Sequence, residues 1–237
     1  MPRLQTLFLD AGGVIVFPNW QRVSEALARH GVEVSAPSLM AAEPKAKFDI
    51  DQGIRHGSST DAQRAWLYME LVLENAGVAL GDGSAAALRE LRAYHAEHNL
   101  WEHVPEDVVP ALERLSGLGL QLVVVSNANG VLHRMFDRVG LTRHFDVICD
   151  SCVEGVEKPD PRFFEIALQR SGAVPAATMH MGDLYYVDVI GARNSGLRQM
   201  LIDPYGLYDA YDADRVRSLD QLADRLTSEC QAASVPE

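Results

Sequence analysis

From Pro105 onward, short apolar runs alternate with segments of helical periodicity, and this rhythm constrains the fold more than any other feature. The runs are Leu120 to Val125, Phe145 to Cys149, Thr178 to Met181 and Gln199 to Ile202, with a further short one near Arg215. Helical patterns fill the gaps: Pro105 to Gly117, Val131 to Val139, Asp160 to about Ser171, a stretch ending near Gly196, and a last one from Ser218. Strands this continuously apolar are buried on both faces. Strand–helix–strand alternation demands crossover connections, so the pattern predicts an α/β fold, a parallel sheet with helices on both sides. One more strand, Leu4 to Leu9, lies at the N-terminus.

Between the first strand and Pro105 the periodicity is helical throughout. The segment from Trp20 to His30 places Val23, Leu27 and Ala28 at helical spacing. Ser58 or Thr60 is expected to cap a helix through Trp66, Met69, Leu71 and Leu73, and Ser84 another through Leu88, Leu91 and Tyr94. No strand is expected between Pro18 and Pro105. The chain therefore divides into a core, residues 1–17 and 105–237, and an all-helical insertion, residues 18–104. Residues Ala232 to Glu237 read as a frayed tail.

The chain has 237 residues, 47% hydrophobic and 23% charged, which suits a globular enzyme. No apolar stretch reaches the roughly 18 residues of a membrane span. The N-terminus runs into a strand without a signal-peptide core, so a cytoplasmic location is expected. A net charge of −12 argues against nucleic acid as a partner, because that role needs a basic face. Lysine occurs only at Lys45, Lys47 and Lys158. An acidic protein handling an anionic substrate must make its site locally positive, and a divalent metal with one placed lysine would do so. Of the three cysteines, Cys149 and Cys152 form a C-x-x-C with no second pair at zinc spacing. Cys149 is read as a buried strand residue.

Polar residues stand where the strands end. Asp10 follows Leu7-Phe8-Leu9 and precedes Gly12-Gly13; Ser126-Asn127 follows Leu122 to Val125; Asp183 follows Thr178 to Gly182; Lys158 precedes Pro159. In an open α/β sheet, ligands bind at the C-terminal edge of the strands. A carboxylate nucleophile, a hydroxyl, a cation and the acidic pair Asp183 and Asp188 suit phosphoryl transfer. Two carboxylates beside a phosphate call for a hard cation with oxygen ligands, and Mg²⁺ fits. Pro159 biases Lys158 to an extended conformation and is expected to start the next helix at its first position. At about 4 Å, with an effective dielectric near 20, the attraction of such a lysine for a carboxylate is on the order of 4 kcal/mol.

These residues resemble the haloacid dehalogenase-like (HAD) hydrolase superfamily across the whole core. Its four motifs are matched in order by LFLDAGGVI (Leu7 to Ile15), VVVSNANG (Val123 to Gly130), Lys158 in EKPDPRFFEIAL, and HMGDLYYVD (His180 to Asp188). The resemblance implies a three-layer Rossmann-like core and makes the helical insertion a C1-type cap. It also implies Asp10 as nucleophile, forming an aspartyl-phosphate, and Ser126, Asn127 and Lys158 as groups that bind the phosphoryl oxygens. Mg²⁺ would be held by Asp10, the Gly12 carbonyl and Asp183, and Asp188 would orient Lys158 or a metal-bound water. The expected activity is a Mg²⁺-dependent phosphatase on a small phosphorylated, or otherwise anionic, metabolite, with a homodimer left open.

One position departs from the pattern. The family's phosphatases carry a second Asp two residues after the nucleophile, which protonates the leaving group; here Gly12 stands there. General acid–base catalysis typically contributes about 10²–10⁴-fold. Three readings follow. A phosphatase could act on good leaving groups, such as acyl phosphates, or borrow an acid, with His56, His95, His98 and His103 as candidates. The chemistry could be phosphonatase-like, with a Schiff base on Lys45 or Lys47, or 2-haloacid dehalogenase-like, which Ser126-Asn127 resembles. The fold could also serve as a non-catalytic module that binds a phosphorylated ligand or a protein. Trp20, Phe48, Trp66, Tyr68 and Trp101 are expected to pack the insertion, some of them lining a pocket. Tyr185, Tyr186, Tyr205, Tyr208 and Tyr211 are left between an interface and a pocket rim.

Overall fold

A computed structural model describes residues 3–54 and 61–232. The chain opens with strand β1 (Thr6–Leu9), then the two-residue β2 (Phe17–Pro18). Helices α1 (Trp20–Arg29), α2 (Ala36–Ile54), α3 (Asp61–Asn75) and α4 (Asp82–His98) follow, closed by β3 (Trp101–His103). Next come α5 (Val108–Gly117), β4 (Gln121–Ser126), α6 (Leu132–Arg138), β5 (Val147–Asp150), α7 (Ser151–Glu154) and α8 (Pro161–Ser171). The chain ends with β6 (Thr178–Gly182), a π-helical turn over Tyr185–Val189, α9 (Ile190–Asn194), β7 (Arg198–Ile202), β8 (Arg215–Val216) and α10 (Leu219–Ala232). Two compact units result, residues 1–17 with 104–237, and residues 18–103.

The first unit is built on a parallel sheet in the order β5-β4-β1-β6-β7-β8. Every residue of β1 is buried, as its central place requires. Side chains alternate between faces along a strand. Phe8, Val123, Val125 and Cys149 pack with Phe163, Phe164 and Ala167 of α8 and with Ala192, and Leu7, Leu9, Leu122 and Val124 point the other way. Cys149 is buried in this layer, which pushes its thiol up to about 11, and Cys152 is exposed.

The second unit has its own core. Trp20, Val23 and Leu27 of α1 meet Leu39, Tyr68, Met69, Leu73, Leu88 and Leu91. Tyr68 lies between Trp20 and Trp101, with ring centroids 6.3 Å and 6.0 Å away. Glu102 accepts hydrogen bonds from Asn19 Nδ2 at 3.0 Å, Arg22 Nε at 3.0 Å and the Tyr94 hydroxyl at 2.7 Å.

Several local expectations are corrected. Strand β3 occupies a segment expected to lack strands, pairing with β2; three residues of mixed polarity carry no periodic signal. Ser84 is the third residue of α4 rather than its cap, and its hydroxyl accepts the Gly81 N–H at 2.8 Å. Pro105 lies ahead of α5, whose N-cap is Asp107. Pro159 does not start α8: Asp160 is the N-cap, accepting the Arg162 N–H, and Pro161 takes the first position. Ser58, Thr60 and the tail beyond Ala232 lie outside the described residues.

The loop after β4 is held by the end of β5. The buried Asp150 carboxylate accepts the N–H groups of Gly130 at 2.9 Å, Leu132 at 3.2 Å and Cys152 at 3.0 Å. Ser151 Oγ accepts the Ala128 N–H at 3.0 Å. A lost partner leaves buried donors unsatisfied, at about 1–3 kcal/mol. Asp150→Ala is expected to lower the stability of the core by about that amount, read as a fall in the urea midpoint at unchanged slope. An unchanged midpoint would show that water replaces the carboxylate without loss.

Candidate active site

Register brings the polar strand ends together. Leu9 lies level with Val124 on one side and Met181 on the other. Asp10 is therefore one step short of Ser126 and Asp183, and all three emerge at the C-terminal edge of adjacent central strands. Asp10, Asp183 and Asp188 each offer a carboxylate oxygen within 4.8 Å of the others.

Two glycines permit this crowding. Gly13 has φ +72°, and a Cβ there would stand 1.9 Å from Asp183 Oδ2. A Cβ on Gly182 would stand 2.0 Å from the carboxyl carbon of Asp188. The turn that delivers Asp188 is π-helical, a form frequent at functional sites.

Lys158 is buried between two carboxylates. Its Nζ is 2.7 Å from Asp188 Oδ1 and 3.1 Å from Asp10 Oδ1. Asp188 is more fully engaged than the sequence suggested. Its Oδ1 also faces His180 Nε2 at 2.9 Å, and its Oδ2 accepts the Leu184 N–H at 3.0 Å. Asn127 does something the motif did not foretell: its Nδ2 donates to the Lys158 carbonyl at 3.0 Å, and its Oδ1 accepts the Lys158 N–H at 2.7 Å. The amide is spent on the lysine's backbone. Ser126 is buried at the end of β4, and its hydroxyl lies close enough to Asp10 to favour the ionised carboxylate.

Electrostatics follow from burial. Desolvation pushes the Asp10 carboxyl up to about 7; Lys158 opposes it, and the like charges of Asp188 and Asp183 add to it. Asp188 is buried too, yet Lys158 and His180 hold it well below the usual carboxylate range. Burial also lowers His180, against the pull of Asp188 and the Phe8 backbone. Lys158 stays above its ordinary value, because Asp10 and Asp188 outweigh its desolvation.

The donor set fits a hard divalent cation, since it is all carboxylate oxygen and carries more negative than positive charge. Both oxygens of Asp188 are engaged, Oδ1 by Lys158 and His180 and Oδ2 by the Leu184 N–H.

Most of the other candidates belong to the helical unit. His95 Nδ1 accepts the Leu100 N–H at 3.1 Å, and its ring is edge-on to Trp66 and Trp101 inside the helical unit. His98 stacks on Tyr94, and His103 is exposed. His56 falls outside the described residues. Lys45 pairs with Asp49 on the surface of α2, and Lys47 is half-buried on the same helix. Tyr185, Tyr186, Tyr208 and Tyr211 pack edge-on with one another, whereas Tyr205 is exposed. His180 is the residue that sequence reasoning missed; the signal was an imidazole between Met179 and Met181 in an otherwise apolar strand.

The shifts have a consequence for stability. An aspartate in the unfolded chain titrates near about 3.9, while folded Asp10 holds its proton to about 7. Between those values the folded state binds more protons, so this group's contribution falls as pH rises. Asp188 acts oppositely: its contribution is complete above the unfolded value and is lost as pH falls below it. In calorimetry with chelator present, Asp10→Asn is expected to show a smaller loss of Tm than the wild type between about pH 5 and pH 8. Equal losses would show that Asp10 titrates as an ordinary carboxylate.

Comparison with known proteins identifies the family. The family model for haloacid dehalogenase-like hydrolases matches residues 4–196. The bovine haloacid dehalogenase-like hydrolase domain-containing protein 3 is 32% identical over 179 residues, covering 73% of this chain and 70% of that protein. A ribulose-1,5-bisphosphate 5-phosphatase from Halopiger xanaduensis is 29% identical over 179 residues, covering 74% and 70%. Among solved structures, a Bacillus subtilis HAD-hydrolase bound to magnesium superposes with a TM-score of 0.67 at 18% identity, covering 95% of this chain and 99% of that one. With the strand order, the four motifs in sequence and a family match over most of its length, this chain belongs to the haloacid dehalogenase-like hydrolases.

Proposed function

We propose that the protein is a Mg²⁺-dependent phosphatase acting on a small phosphorylated metabolite through an aspartyl-phosphate. The observation that carries this reading is Lys158, buried and bridging Asp10 to Asp188. A buried ammonium within 3.1 Å of a carboxylate neutralises charge where a phosphate would approach that carboxylate. Phosphatase relatives of similar length support the same reaction class. The helical unit, residues 18–103, takes the part of a specificity cap.

In the first step an Asp10 oxygen forms a bond to phosphorus as the bond to the leaving oxygen breaks, and the leaving group keeps the electron pair. Lys158 and the Ser126 hydroxyl stabilise the phosphoryl oxygens, and Asn127 holds the lysine's backbone in place. Water then attacks phosphorus, releasing phosphate and restoring the Asp10 carboxylate. A Mg²⁺ held by Asp10, Asp183 and the Gly12 carbonyl would supply charge neutralisation and orient the phosphate. Gly12 offers no acid for the leaving oxygen, so leaving groups that depart as weak bases are favoured, acyl phosphates among them.

A panel of acyl phosphates, aryl and alkyl phosphate esters, phosphonoacetaldehyde and 2-haloacids tests this, with and without Mg²⁺. Phosphate release is expected to need Mg²⁺, to be fastest on acyl and aryl phosphates, and to vanish in Asp10→Asn. Halide release or carbon–phosphorus cleavage would replace the reading with one of the other two hydrolase chemistries. Binding of a phosphate analogue without turnover would make the protein a binding module. Gly12→Asp is expected to raise alkyl phosphate turnover toward the roughly 10²–10⁴-fold that a general acid contributes. No gain would show that the acid is already supplied elsewhere.

A further inference from the structure

We infer that His180 is a positioning residue which, through Asp188, holds the Lys158 ammonium against Asp10. The inference rests on the proposed role of Asp10 as nucleophile.

An imidazole at the centre of a buried sheet needs a reason. His180 lies in β6 between Met179 and Met181, level with Phe8 of β1. It is fully buried, with Phe164 edge-on at 5.0 Å. Burying a polar ring is costly unless it is hydrogen-bonded. Among the described residues Nδ1 makes no well-formed hydrogen bond and feels only the pull of the Phe8 backbone, so the ring's one close polar contact is at Nε2. Nε2 lies 2.9 Å from Asp188 Oδ1, the same oxygen that accepts from Lys158 Nζ at 2.7 Å. An ionised carboxylate can only accept, so Nε2 carries the hydrogen.

This contact completes a chain of restraints. Asp188 Oδ2 is fixed by the Leu184 N–H, and Oδ1 is fixed by His180, leaving the carboxylate one orientation. Asn127 clamps the Lys158 backbone, so the lysine is held at both ends. Without His180 the Oδ1 side loses its rigid donor. Asp188 is then free to turn, and the ammonium can follow it away from Asp10.

The test compares the wild type with His180→Leu, which removes the donor, and His180→Gln, whose amide nitrogen can replace Nε2. With p-nitrophenyl phosphate and Mg²⁺, His180→Leu is expected to lower kcat about 10–100-fold, as losses of comparable supporting partners do. KM should change little, and His180→Gln should restore most of kcat.

A second readout needs no turnover. The chain has only three lysines, so protein ¹⁵N-labelled at lysine Nζ has three ammonium groups, and the signal missing from Lys158→Met is that of Lys158. A sharp, slowly exchanging Lys158 signal is expected in the wild type and His180→Gln, and its loss or broadening in His180→Leu. An unchanged signal and kcat in His180→Leu would overturn the assignment. If the wild type hydrolyses no phosphate ester, the phosphatase reading fails and the ammonium spectrum still decides the role of His180. If His180→Leu does not fold, the imidazole ¹⁵N shifts of the wild type decide: hydrogen on Nε2 upholds the contact, and a bare Nε2 refutes it.

Discussion

A buried ammonium between two buried carboxylates is the interaction on which the rest of this site depends. Lys158 has no exposed surface, and a lone charge in that environment would cost far more than the fold can supply. It is tolerated because Asp10 and Asp188 flank it at 3.1 Å and 2.7 Å. The dependence runs both ways: either carboxylate without the lysine would face the same penalty. Three chain segments distant in sequence are thus tied by one requirement, that the charges be buried together. Such a cluster is poor evidence of stability for its own sake, and it marks the place where chemistry is expected.

Crowding of like charge is the other half of the site. Asp10, Asp183 and Asp188 approach within 4.8 Å only because Gly13 and Gly182 carry no Cβ where those carboxylates lie. One ammonium does not balance three carboxylates. Burial pushes the Asp10 carboxyl up and the like charges of Asp188 and Asp183 add to it, while Asp188, buried too, keeps its charge through Lys158 and His180. A divalent cation is the natural complement to that excess charge.

Much of the core was legible in the sequence, because its signals were local. Leu120 to Val125, Phe145 to Cys149 and Thr178 to Met181 read as buried strands, and they are β4, β5 and β6 within a residue or two. The polar residues that end those strands reach one edge for a simple reason: parallel strands end on the same side. Features without a local signal were missed. Strand β3 is too short and too polar to show a period, and Ser84 and Pro159 lie within three residues of the cap positions that Gly81 and Asp160 fill. Asn127 read as a ligand because its neighbours matched a motif, whereas its partner, the Lys158 backbone, lies 31 residues away.

The sequence by itself determined the layered α/β architecture, the helical insertion and the set of strand-end residues, since hydrophobic periodicity and polar termini are written along the chain. Tertiary structure decided which of those residues share a charge network. Strand order put β1 between β4 and β6, and the π-helical turn brought Asp188 back beneath Lys158. Only packing gave His180 a partner, because a hydrogen bond from mid-strand to the following turn depends on the path of the chain between them and not on the identity of either residue alone.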